Sequence, residues 1–503
     1  MKNTELTTFR NNRIAAVKDS RKFTTLVRAV PGKKPPDPLQ VYELILQKSK
    51  LPACLLESAT HKGELGRYTY ICLFGSPFCI MRKIKSLKSL KRRLRDISPV
   101  PHEFLPFVGG AIGSFSHEVV SYVEKTVKPH AVDPFNLPVV ALYCFHCIII
   151  LDHQTNTLYY VANVPTSCDV ERGYKEGCRL IGEMEHFVTD SESVQHVCDV
   201  AEMENLKSNL SKSEFMDMVL KAKEHVNKGN VFQVVLSRRL SVSFSGNGLS
   251  FYKALRSINP SPYLFHMRTD KNCNNAILVG SSPEIMADIR NREMIIRPLA
   301  GTRKRGKISA GDKRNENALL NNPKERAEHK MLVDLALNDV SRFCQSDSVV
   351  VTELMKAEYC GSVIHMASEV RGKLQDGVPP LDAFFGVTPA GTLSGCPKVR
   401  ALQVITELEP CRRGPYGGAF GWFTDLSVYT CIIIRSALLL KGVLYWQTGA
   451  GIVYDSNPEA EYLETEKKAG SIKKSLTEMN NQRKDEREKK KNKSNQSRGR
   501  RPL

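Results

Sequence analysis

The chain has 503 residues and a formal net charge of +20, from 73 Lys and Arg against 53 Asp and Glu. With 41% hydrophobic residues and a mean hydropathy of −0.29, it is too apolar for a mainly disordered protein, and it is long enough to bury a core without disulfide or metal support. Its apolar runs are shorter than the roughly 18–20 residues that a membrane-spanning helix needs.

The first 210 residues are predicted to form an N-terminal arm, short helices and strands, and a polar segment. Residues 1–36 are polar and end in Pro-Gly-Lys-Lys-Pro-Pro, which predicts an N-terminal arm. Residues 138–163 predict two strands joined by a polar turn. Residues 165–210 are polar and acidic without strong periodicity, which fits either a linker or a surface helix.

Clear helix signals begin at Ser211, which forms an S-x-x-E capping box with Glu214. Further helices are predicted from Asn322-Pro323, from about residue 394 and from Asn457-Pro458. Segments rich in strand-forming residues lie between them, at 231–240, 262–268, 277–289, 293–300, 418–423, 430–440 and 443–453. Because strands and helices mix without strict alternation, we predict an α+β layered sandwich rather than a doubly wound sheet.

Most of the positive charge lies in two segments. Residues 82–95 carry eight Lys or Arg and no acidic residue, and residues 481–503 carry ten against three acidic residues. They hold fifteen of the twenty net charges, so the rest of the chain is only mildly basic. A protein that binds nucleic acid or a membrane surface is the alternative of a different class. Neither segment interleaves aromatic with basic residues, so we expect solvated segments and no such partner.

The fourteen cysteines are scattered at irregular spacings, and many lie in apolar runs, as free buried cysteines do. The one C-x-x-C, from Cys144 to Cys147, lies in an apolar strand-like stretch without a second pair, which argues against a metal site. The N-terminal sequence lacks the apolar segment of a signal peptide. We therefore expect reduced thiols and a cytoplasmic protein.

Four glutamates are spaced so that they could form a metal site. Glu325 and Glu328 share one face of a predicted helix, and Glu461 and Glu464 repeat that spacing on another. Two helices with inward carboxylates would offer the oxygen ligands that Mg²⁺ prefers. Solvated surface charge is the alternative and the more common role of such pairs. The apolar residues that follow the first pair favour the metal.

Other segments suit an anionic substrate. Gly301 and Thr302 lie between basic residues after a predicted strand, where amides and a hydroxyl can contact an anion, although a basic surface turn is the simpler interpretation. The Gly-Ala-Gly at 449–451 offers amides in the same way. Arg435 after an apolar strand is either a snorkelling end or a carboxylate anchor. His365, in an apolar segment, is by itself more typical of a structural histidine.

Together these segments resemble component I of anthranilate synthase, in the family of chorismate-utilising enzymes. The similar stretches keep the family's order over roughly residues 40–475, and no single stretch carries the resemblance. They are LLES (55–58), VFQVVLSRR (231–239), NPSPYLF (259–265), GSSPE (280–284), RPLAGTRKRG (297–306), ERAEHKMLVDLALND (325–339), TPAGTLSGCPKVRA (388–401), RRGPYGGAFGWF (412–423) and GAGIVYDSNPEAEYLET (449–465).

The resemblance implies an α/β/α sandwich of two layered antiparallel sheets with helices outside. It implies that chorismate and ammonia give anthranilate and pyruvate with Mg²⁺, the first step of tryptophan biosynthesis. In the family, a glutaminase subunit, component II, supplies the ammonia from glutamine. Because the sequence contains no G-x-C-x-G nucleophile elbow with a downstream histidine, we expect that partner to be a separate chain.

The resemblance also divides the chain and assigns roles to residues. The regions are the arm at 1–36, a regulatory, sheet-contributing region at 37–200, a chorismate-binding catalytic region at 201–475 and a basic disordered tail at 476–503. Glu328 and Glu464 would bind Mg²⁺, with Glu325 and Glu461 further out, through water. The implied substrate-binding residues are Gly301, Thr302, Tyr416, Arg435, Gly449, Ala450 and Gly451, with Arg435 and the amides at 449–451 holding the enolpyruvyl carboxylate.

Four further positions bear on the chemistry. His365 would act near the leaving 4-hydroxyl as orienter or proton donor, with Thr392 as a second polar contact. Aminodeoxychorismate synthases have a nucleophilic Lys where this chain has Ala300, which cannot attack. Isochorismate and salicylate synthases have a general-base Lys where this chain has Gln233, which cannot deprotonate water. Both differences favour anthranilate synthase, and aminodeoxychorismate or isochorismate synthesis are the alternatives within the family.

The LLES segment resembles the family's tryptophan-binding site, which implies feedback inhibition by tryptophan. The alternatives are that its leucines are simply core residues, or that a bound tryptophan is purely structural, as in the sister family. The implied tryptophan-binding residues are Ser58, Pro262, Tyr263 and Leu264.

Several positions depart from the family pattern. Residues 360–362 read Cys-Gly-Ser where Tyr-Ser-His is usual, Tyr429 lies where an Asp is usual, and Leu337 replaces the Arg of L-A-R-N-D. The N-terminal G-Y-x-x-Y-D pattern reads GSFSHE at 113–118. None of these positions is a proposed Mg²⁺ or substrate contact, so we expect altered kinetics or weakened control rather than a lost site.

Overall fold

The computed structural model describes residues 2–32, 36–59, 66–81, 87–191, 198–306, 308–361 and 363–498. Within these ranges there are thirteen α-helices and twenty β-strands. The helices are α1 (Lys2–Lys18), α2 (Pro38–Lys48), α3 (Leu87–Ile97), α4 (Val120–Val123), α5 (Val170–Asp190), α6 (Lys212–Asn227), α7 (Leu249–Ile258), α8 (Ser309–Leu320), α9 (Pro323–Ser341), α10 (Pro380–Val387), α11 (Gly391–Ser394), α12 (Lys398–Leu408) and α13 (Pro458–Arg498). The strands are β1 (Phe23–Pro31), β2 (Ala53–Glu57), β3 (Tyr68–Met81), β4 (Ala111–Phe115), β5 (Val140–Asp152), β6 (Thr157–Pro165), β7 (Val200–Ser208), β8 (Gln233–Ser245), β9 (Tyr263–Arg268), β10 (Ile277–Ser282), β11 (Ile285–Arg290), β12 (Glu293–Ile296), β13 (Leu299–Lys304), β14 (Val350–Cys360), β15 (Val363–Lys373), β16 (Gly395–Cys396), β17 (Ala419–Phe423), β18 (Val428–Ile432), β19 (Ser436–Leu440) and β20 (Val443–Ile452).

The strands form one hydrogen-bonded network in which the described pairs are antiparallel. Two long ladders organise it, one between β3 and β5 and one between β8 and β20. Strand β2 pairs with β9, so the sheet joins the N-terminal part of the chain to the part that carries most of the predicted site.

The buried apolar side chains form layers, because successive residues of a strand point to opposite sides. In β5, Tyr143 and Phe145 belong to a cluster built mostly of strand residues. Leu142 and Cys144 point the other way, into a cluster covered by α3, α9 and α10. A third large cluster lies under α1, α2, α5, α7 and α13. Sheet faces enclose one core and helices cover the others, which confirms the predicted α+β layered fold.

Local sequence signals placed several elements correctly. Helix α6 starts with the predicted capping box, in which the Ser211 hydroxyl accepts from the Glu214 amide and the Glu214 carboxylate accepts from the Ser211 amide. The side chain of Asn322 caps α9, and Pro323 occupies its first turn. Helix α9 carries two of the predicted carboxylates, Glu325 and Glu328.

The prediction of a polar N-terminal arm is wrong. Residues 2–18 form α1, and β1 pairs with β6 along its whole length. The Phe9 side chain is buried in the core and lies against the ring of Tyr174. The segment is polar on average, but Phe9 and Ala16 of α1 are buried, so tertiary contacts override the composition.

The prediction of a disordered tail from residue 476 is also wrong, because α13 continues to Arg498. Ala469, Ile472, Leu476 and Met479 continue at helical spacing and are buried. The polar segment 165–210 contains α5 and β7. Residues 82–86 of the basic segment and 499–503 of the tail lie outside the described residues.

Two expectations on composition can be compared with the structure. Thirteen cysteines with described surroundings are free thiols, and Cys144 and Cys147 are both buried. Among the described helices there is none with the length and apolar character needed to span a bilayer.

Candidate active site

The four predicted carboxylates lie at the beginnings of two helices. Glu325 and Glu328 occupy the first turns of α9, and Glu461 and Glu464 those of α13. The side chain of Gln233, the first residue of β8, donates from Nε2 to Oε1 of Glu328 at 3.1 Å. The two helices therefore project their carboxylates toward the start of the β8–β20 ladder.

The carboxylates of this group influence one another electrostatically. Burial raises the pKa of Glu328, and the negative charges of Glu325 and Glu464 raise it further. Burial likewise raises the pKa of Glu461, with Glu464 adding to the effect, while the Ser456 hydroxyl donates to its carboxylate at 2.7 Å. A divalent cation would relieve this repulsion, and carboxylate oxygens are the donors that Mg²⁺ accepts.

Two of the four glutamates form ion pairs with basic side chains. Glu464 pairs with Lys468 at 2.7 Å, and Glu325 pairs with Arg303 at 3.2 Å. Among the side chains that the structure describes, no three of His, Cys, Asp or Glu converge closely enough to hold a metal ion. The donor set fits Mg²⁺ chemically, and binding it through Glu464 would require that residue to leave Lys468.

Lys468 lies at the centre of the group. Burial has the largest influence on the pKa of each of Glu284, Glu328, Glu461 and His365, and the Lys468 ammonium lowers all four. Its Nζ also donates to the carbonyl of Gly449 at 2.9 Å. Lys468 therefore contributes positive charge where the predicted carboxylates, the histidine and the glycine-containing strand meet.

His365 lies on β15, where it pairs with Thr302 of β13. Its Nδ1 is 3.1 Å from the carbonyl oxygen of Gly301 and 3.1 Å from the Thr302 hydroxyl. A carbonyl can only accept, so Nδ1 carries the proton and Nε2 is left as an acceptor. Burial lowers the His365 pKa, and the positive charges of Arg435 and Lys468 lower it further, so the ring is neutral near pH 7.

A buried carboxyl lies beside the other predicted polar contact. The Thr392 hydroxyl, on α11, donates to Oε1 of Glu284 at 2.9 Å. Burial raises the pKa of Glu284 to about 8, against smaller opposing effects of Thr392, the Leu299 amide and Lys468. Glu284 is therefore mostly protonated near pH 7 and can donate a proton.

Strand β20 forms one wall of the candidate site, and the close packing there requires glycine at two positions. A Cβ on Gly449 would lie 3.0 Å from the Tyr416 hydroxyl, and one on Gly451 would lie 2.6 Å from Gln233 Nε2. The side chain of Ala450 points into the apolar core, so only its backbone is available to a ligand. The close approach of Tyr416 and Gln233 to the backbone leaves the amides and the two polar side chains on one surface.

Arg435 has a φ of 51°, in the left-handed region that residues other than glycine seldom adopt. Its Nη1 donates to the carbonyl of Lys468 at 3.0 Å and to the Ser471 hydroxyl at 3.3 Å. Burial lowers the pKa of this guanidinium. No carboxylate of the described residues lies within ion-pair distance of Arg435, so a ligand anion would supply its counter-charge.

The sequence did not single out Glu284 and Lys468. Glu284 ends the GSSPE stretch directly after an apolar strand, and a lone carboxyl there is a candidate for burial. Lys468 lies four residues after Glu464 on one predicted helix, a spacing that brings the two side chains together. Both signals were present, but only the packing shows that the two residues meet in one site.

The predicted tryptophan-binding residues line a separate cavity of about 560 Å³, together with many aromatic and basic side chains. Among its lining residues are Ser58, Pro262, Tyr263, Leu264, Tyr68, Trp422, Arg67 and Arg290. Its volume falls in the range of about 300–1,000 Å³ that is typical of small-molecule sites. The structure therefore brings together the four residues and separates them from the carboxylates.

Comparison with known proteins shows the family of the chain. The family model for chorismate binding enzyme matches residues 58–474. Anthranilate synthase component 1 of Aquifex aeolicus (strain VF5) is 37% identical over 463 residues, covering 87% of this chain and 92% of that protein. Anthranilate synthase component 1 of Bacillus subtilis (strain 168) is 34% identical over 472 residues, covering 88% and 90%.

Solved structures show the same fold. Anthranilate synthase component I from Streptococcus pneumoniae TIGR4 matches with a TM-score of 0.72 and 29% identity, over 82% of this chain and 93% of that one. The menaquinone-specific isochorismate synthase from Escherichia coli matches with a TM-score of 0.69 over 94% and 100%, and at 18% identity it supports the fold alone. The chain belongs to the chorismate binding enzyme family, and it is a chorismate-utilising enzyme.

Proposed function

We propose that this protein is anthranilate synthase component I and converts chorismate and ammonia to anthranilate and pyruvate. The observation that carries the proposal is the amide of Gln233. Its Nε2 donates to Glu328, while its buried Oε1 has no hydrogen-bond partner among the described residues. A free acceptor suits an N–H donor such as ammonia, and an amide cannot remove a proton from water.

The other branches of the family fit less well. An aminodeoxychorismate synthase would need a nucleophile at residue 300, and this chain has alanine there, in β13 next to Gly301. An isochorismate synthase would need a base at residue 233 to activate water. The relatives at 34–37% identity are anthranilate synthase components.

The residues of the site suggest how the leaving hydroxyl is protonated. His365 is neutral and its Nε2 is an acceptor, so it suits an orienting role better than that of proton donor. Glu284, whose pKa is about 8, holds a proton near pH 7. Ammonia would form a bond to C2 while the 4-hydroxyl leaves as water with a proton from Glu284. The attached nitrogen then releases a proton to become the amine. The ring loses its C2 hydrogen as a proton while the C3–O bond breaks, and the released enolpyruvate takes up a proton at its methylene carbon to give pyruvate.

Two groups of residues would bind the substrate's two carboxylates. Arg435, Tyr416 and the amides at 449–451 would hold the enolpyruvyl carboxylate, because Arg435 lacks an anionic partner in the described structure. Glu328 and Glu464 would hold Mg²⁺, with Glu325 and Glu461 further out, and the bound ion would supply positive charge against the ring carboxylate. Lys468 would move from Glu464 toward the substrate's negative charge.

We also propose that tryptophan inhibits the enzyme from the cavity lined by Ser58 and Tyr263. The cavity is large enough for an amino acid with an indole ring, and its aromatic and basic lining suits such a zwitterion. Ammonia would come from a separate glutaminase subunit, component II, as the numbered component names of the relatives suggest.

Identification of the product tests the main proposal. Purified protein is incubated with chorismate, NH₄⁺ and Mg²⁺, and products are separated and quantified. We expect fluorescent anthranilate and an equal amount of pyruvate, and neither without NH₄⁺. Isochorismate formed without NH₄⁺, or an aminated product that retains the enolpyruvyl group, would refute it.

A further inference from the structure

A buried ion pair lies behind the glycine-containing strand β20. Arg413, in the loop after α12, is 2% exposed, and Glu409, which caps the end of α12, is 4% exposed. Two hydrogen bonds join them, from Nη2 to Oε1 at 2.6 Å and from Nε to Oε2 at 2.9 Å. Burying two charges costs about as much as their attraction returns, so stability alone is a weak explanation for the pair.

The guanidinium of Arg413 connects two elements that carry site residues. Its Nη1 donates to the carbonyl of Leu393 at 2.7 Å, next to Thr392. Its Nη2 also donates to the carbonyl of Val235 in β8 at 2.7 Å, two residues after Gln233. The planar fork of arginine allows one side chain to hold both carbonyls and the carboxylate at once.

The carboxylate of Glu409 extends the connection to the glycine strand. Its Oε1 accepts from the Ser237 amide at 2.8 Å and from the Ser237 hydroxyl at 2.7 Å. That hydroxyl accepts in turn from Nε2 of Gln447 at 2.7 Å. Ser237 is the register partner of Gly449 in the β8–β20 ladder. Glu409 therefore fixes the part of the ladder where the candidate carboxylate-binding amides begin.

Arg413 also sets the place of Tyr416, three residues further along the same loop. The guanidinium carbon lies 5.8 Å from the centre of the Tyr416 ring, within cation–π distance. Glu118 anchors the loop backbone, because its Oε1 accepts from the amides of Arg413 at 2.9 Å and Gly414 at 3.3 Å. The Tyr416 hydroxyl points to Gly449.

We propose that Arg413 and Glu409 are positioning residues that hold Tyr416 and the amides from Gly449 onward in the geometry that binds the enolpyruvyl carboxylate. The proposal rests on the substrate contacts proposed above. Neither side chain touches the substrate. Their effect passes through Tyr416 and β20, so losing the pair should weaken chorismate binding more than it slows the chemical steps.

The test uses a variant that removes both charges together, Arg413→Met with Glu409→Gln. No buried charge is left unpaired, and the new glutamine can still accept from the Ser237 amide. We expect KM for chorismate to rise about tenfold or more, as for loss of a hydrogen bond to a charged group, with kcat within about threefold of wild type. Arg21→Met, at a buried arginine remote from this network, is the matched control, and its KM should stay at the wild-type value.

A double-mutant cycle separates positioning from simple structural support. Arg413→Lys keeps the charge but loses the fork, and it is combined with Tyr416→Phe. If Arg413 acts partly through Tyr416, the loss of chorismate binding in the double variant should be smaller than the sum of the two single losses. Additive losses, or a folded charge-free variant with unchanged KM, would overturn the proposal. If the charge-free variant does not fold, the double-mutant cycle with Arg413→Lys and Tyr416→Phe tests the proposal by itself.

Chorismate consumption, rather than anthranilate formation, is the readout in all these assays. An enzyme that makes another product from chorismate would refute the proposed function, while the KM comparison would still decide the role of the pair.

Discussion

Glu284 and Glu328 lie in the same site but in different surroundings. Glu284 is enclosed and accepts a hydrogen bond from the neutral Thr392 hydroxyl, and burial raises its pKa to about 8. Glu328 is surrounded by other carboxylates, whose charges add to the effect of burial. The surroundings of Glu284 suit a proton donor, and those of Glu328 suit a cation ligand.

The first prediction concerns Glu284→Gln. We expect kcat to fall by about 10²–10⁴-fold, as for loss of a general acid, with KM for chorismate little changed. Wild-type kcat should decrease above pH 8, where Glu284 loses its proton, and the residual activity of the variant should lack this decrease. A pH profile of kcat for both proteins checks this, and an identical alkaline limb in the variant would assign the limb to another group.

Stability provides a control for the same variant. A carboxyl whose pKa rises from its ordinary value to about 8 on folding binds more protons in the native state between those pH values. Its contribution to stability is full below the ordinary pKa and is lost as pH rises through about 8. The stability of Glu284→Gln relative to wild type should therefore increase with pH up to about 8 and then level off.

The second prediction concerns Glu328→Ala. We expect loss of Mg²⁺-dependent turnover by at least about 100-fold, and loss of Mg²⁺ binding in calorimetry, with an unchanged circular dichroism spectrum. Asp334→Ala, at an exposed acid on the same helix, is the control and should leave both measurements unchanged. Wild-type Mg²⁺ affinity in the Glu328 variant would refute the ligand assignment.

At the scale of elements, helices with local signals were predictable and those held by distant contacts were not. The capping box of α6 and the Asn-Pro start of α9 need only neighbouring residues. Helix α1 has weak local signals and forms because Phe9 packs under the sheet. The stretch of α13 just after residue 476 is held in the same way, by burial of Met479 and by the Asn480 amide, which donates to the carbonyl of Ala201.

The third prediction tests whether α1 belongs to the folded body. Phe9→Ala should lower the free energy of unfolding by about 3 kcal/mol, because Phe9 is 1% exposed. Ile14→Ala, on the same helix with 59% exposure, should change it by less than about 0.5 kcal/mol. Urea-induced unfolding measures both. Equal and small effects would indicate that α1 does not pack on the sheet in solution.

At the scale of the whole molecule, the sequence indicated which residue types form the site but not which of them meet. The four carboxylates and the glycines of β20 carry recognisable spacings. Lys468, Glu284 and the Arg413–Glu409 pair acquire their roles from contacts with residues on other elements, which a single sequence does not reveal. The large cavity likewise forms only where β2, β9 and the loop before β4 come together.

The cavity and the candidate active site share a structural element. Tyr263 in the cavity wall pairs with Ser282 of β10, and Glu284 follows two residues later. The Ser281 amide donates to the carbonyl of Arg435 at 3.2 Å. A ligand that shifts β9 would therefore also shift the proposed site residues Glu284 and Arg435, and the two sites can be coupled if the two arrangements differ in affinity for substrate.

The fourth prediction tests that coupling with tryptophan. Tryptophan at about 100 times its Kd should stabilise the wild-type protein by about 2.7 kcal/mol, measured as a rise in Tm, and should inhibit chorismate turnover. Ser58→Phe places a ring in the cavity. Adding tryptophan should therefore leave the Tm of this variant unchanged, and its inhibition constant for tryptophan should be at least about tenfold higher than that of the wild type. Leu51→Phe, at an exposed position, is the control. A Tm shift without inhibition would show that bound tryptophan is structural, and inhibition that survives Ser58→Phe would place the inhibitor elsewhere.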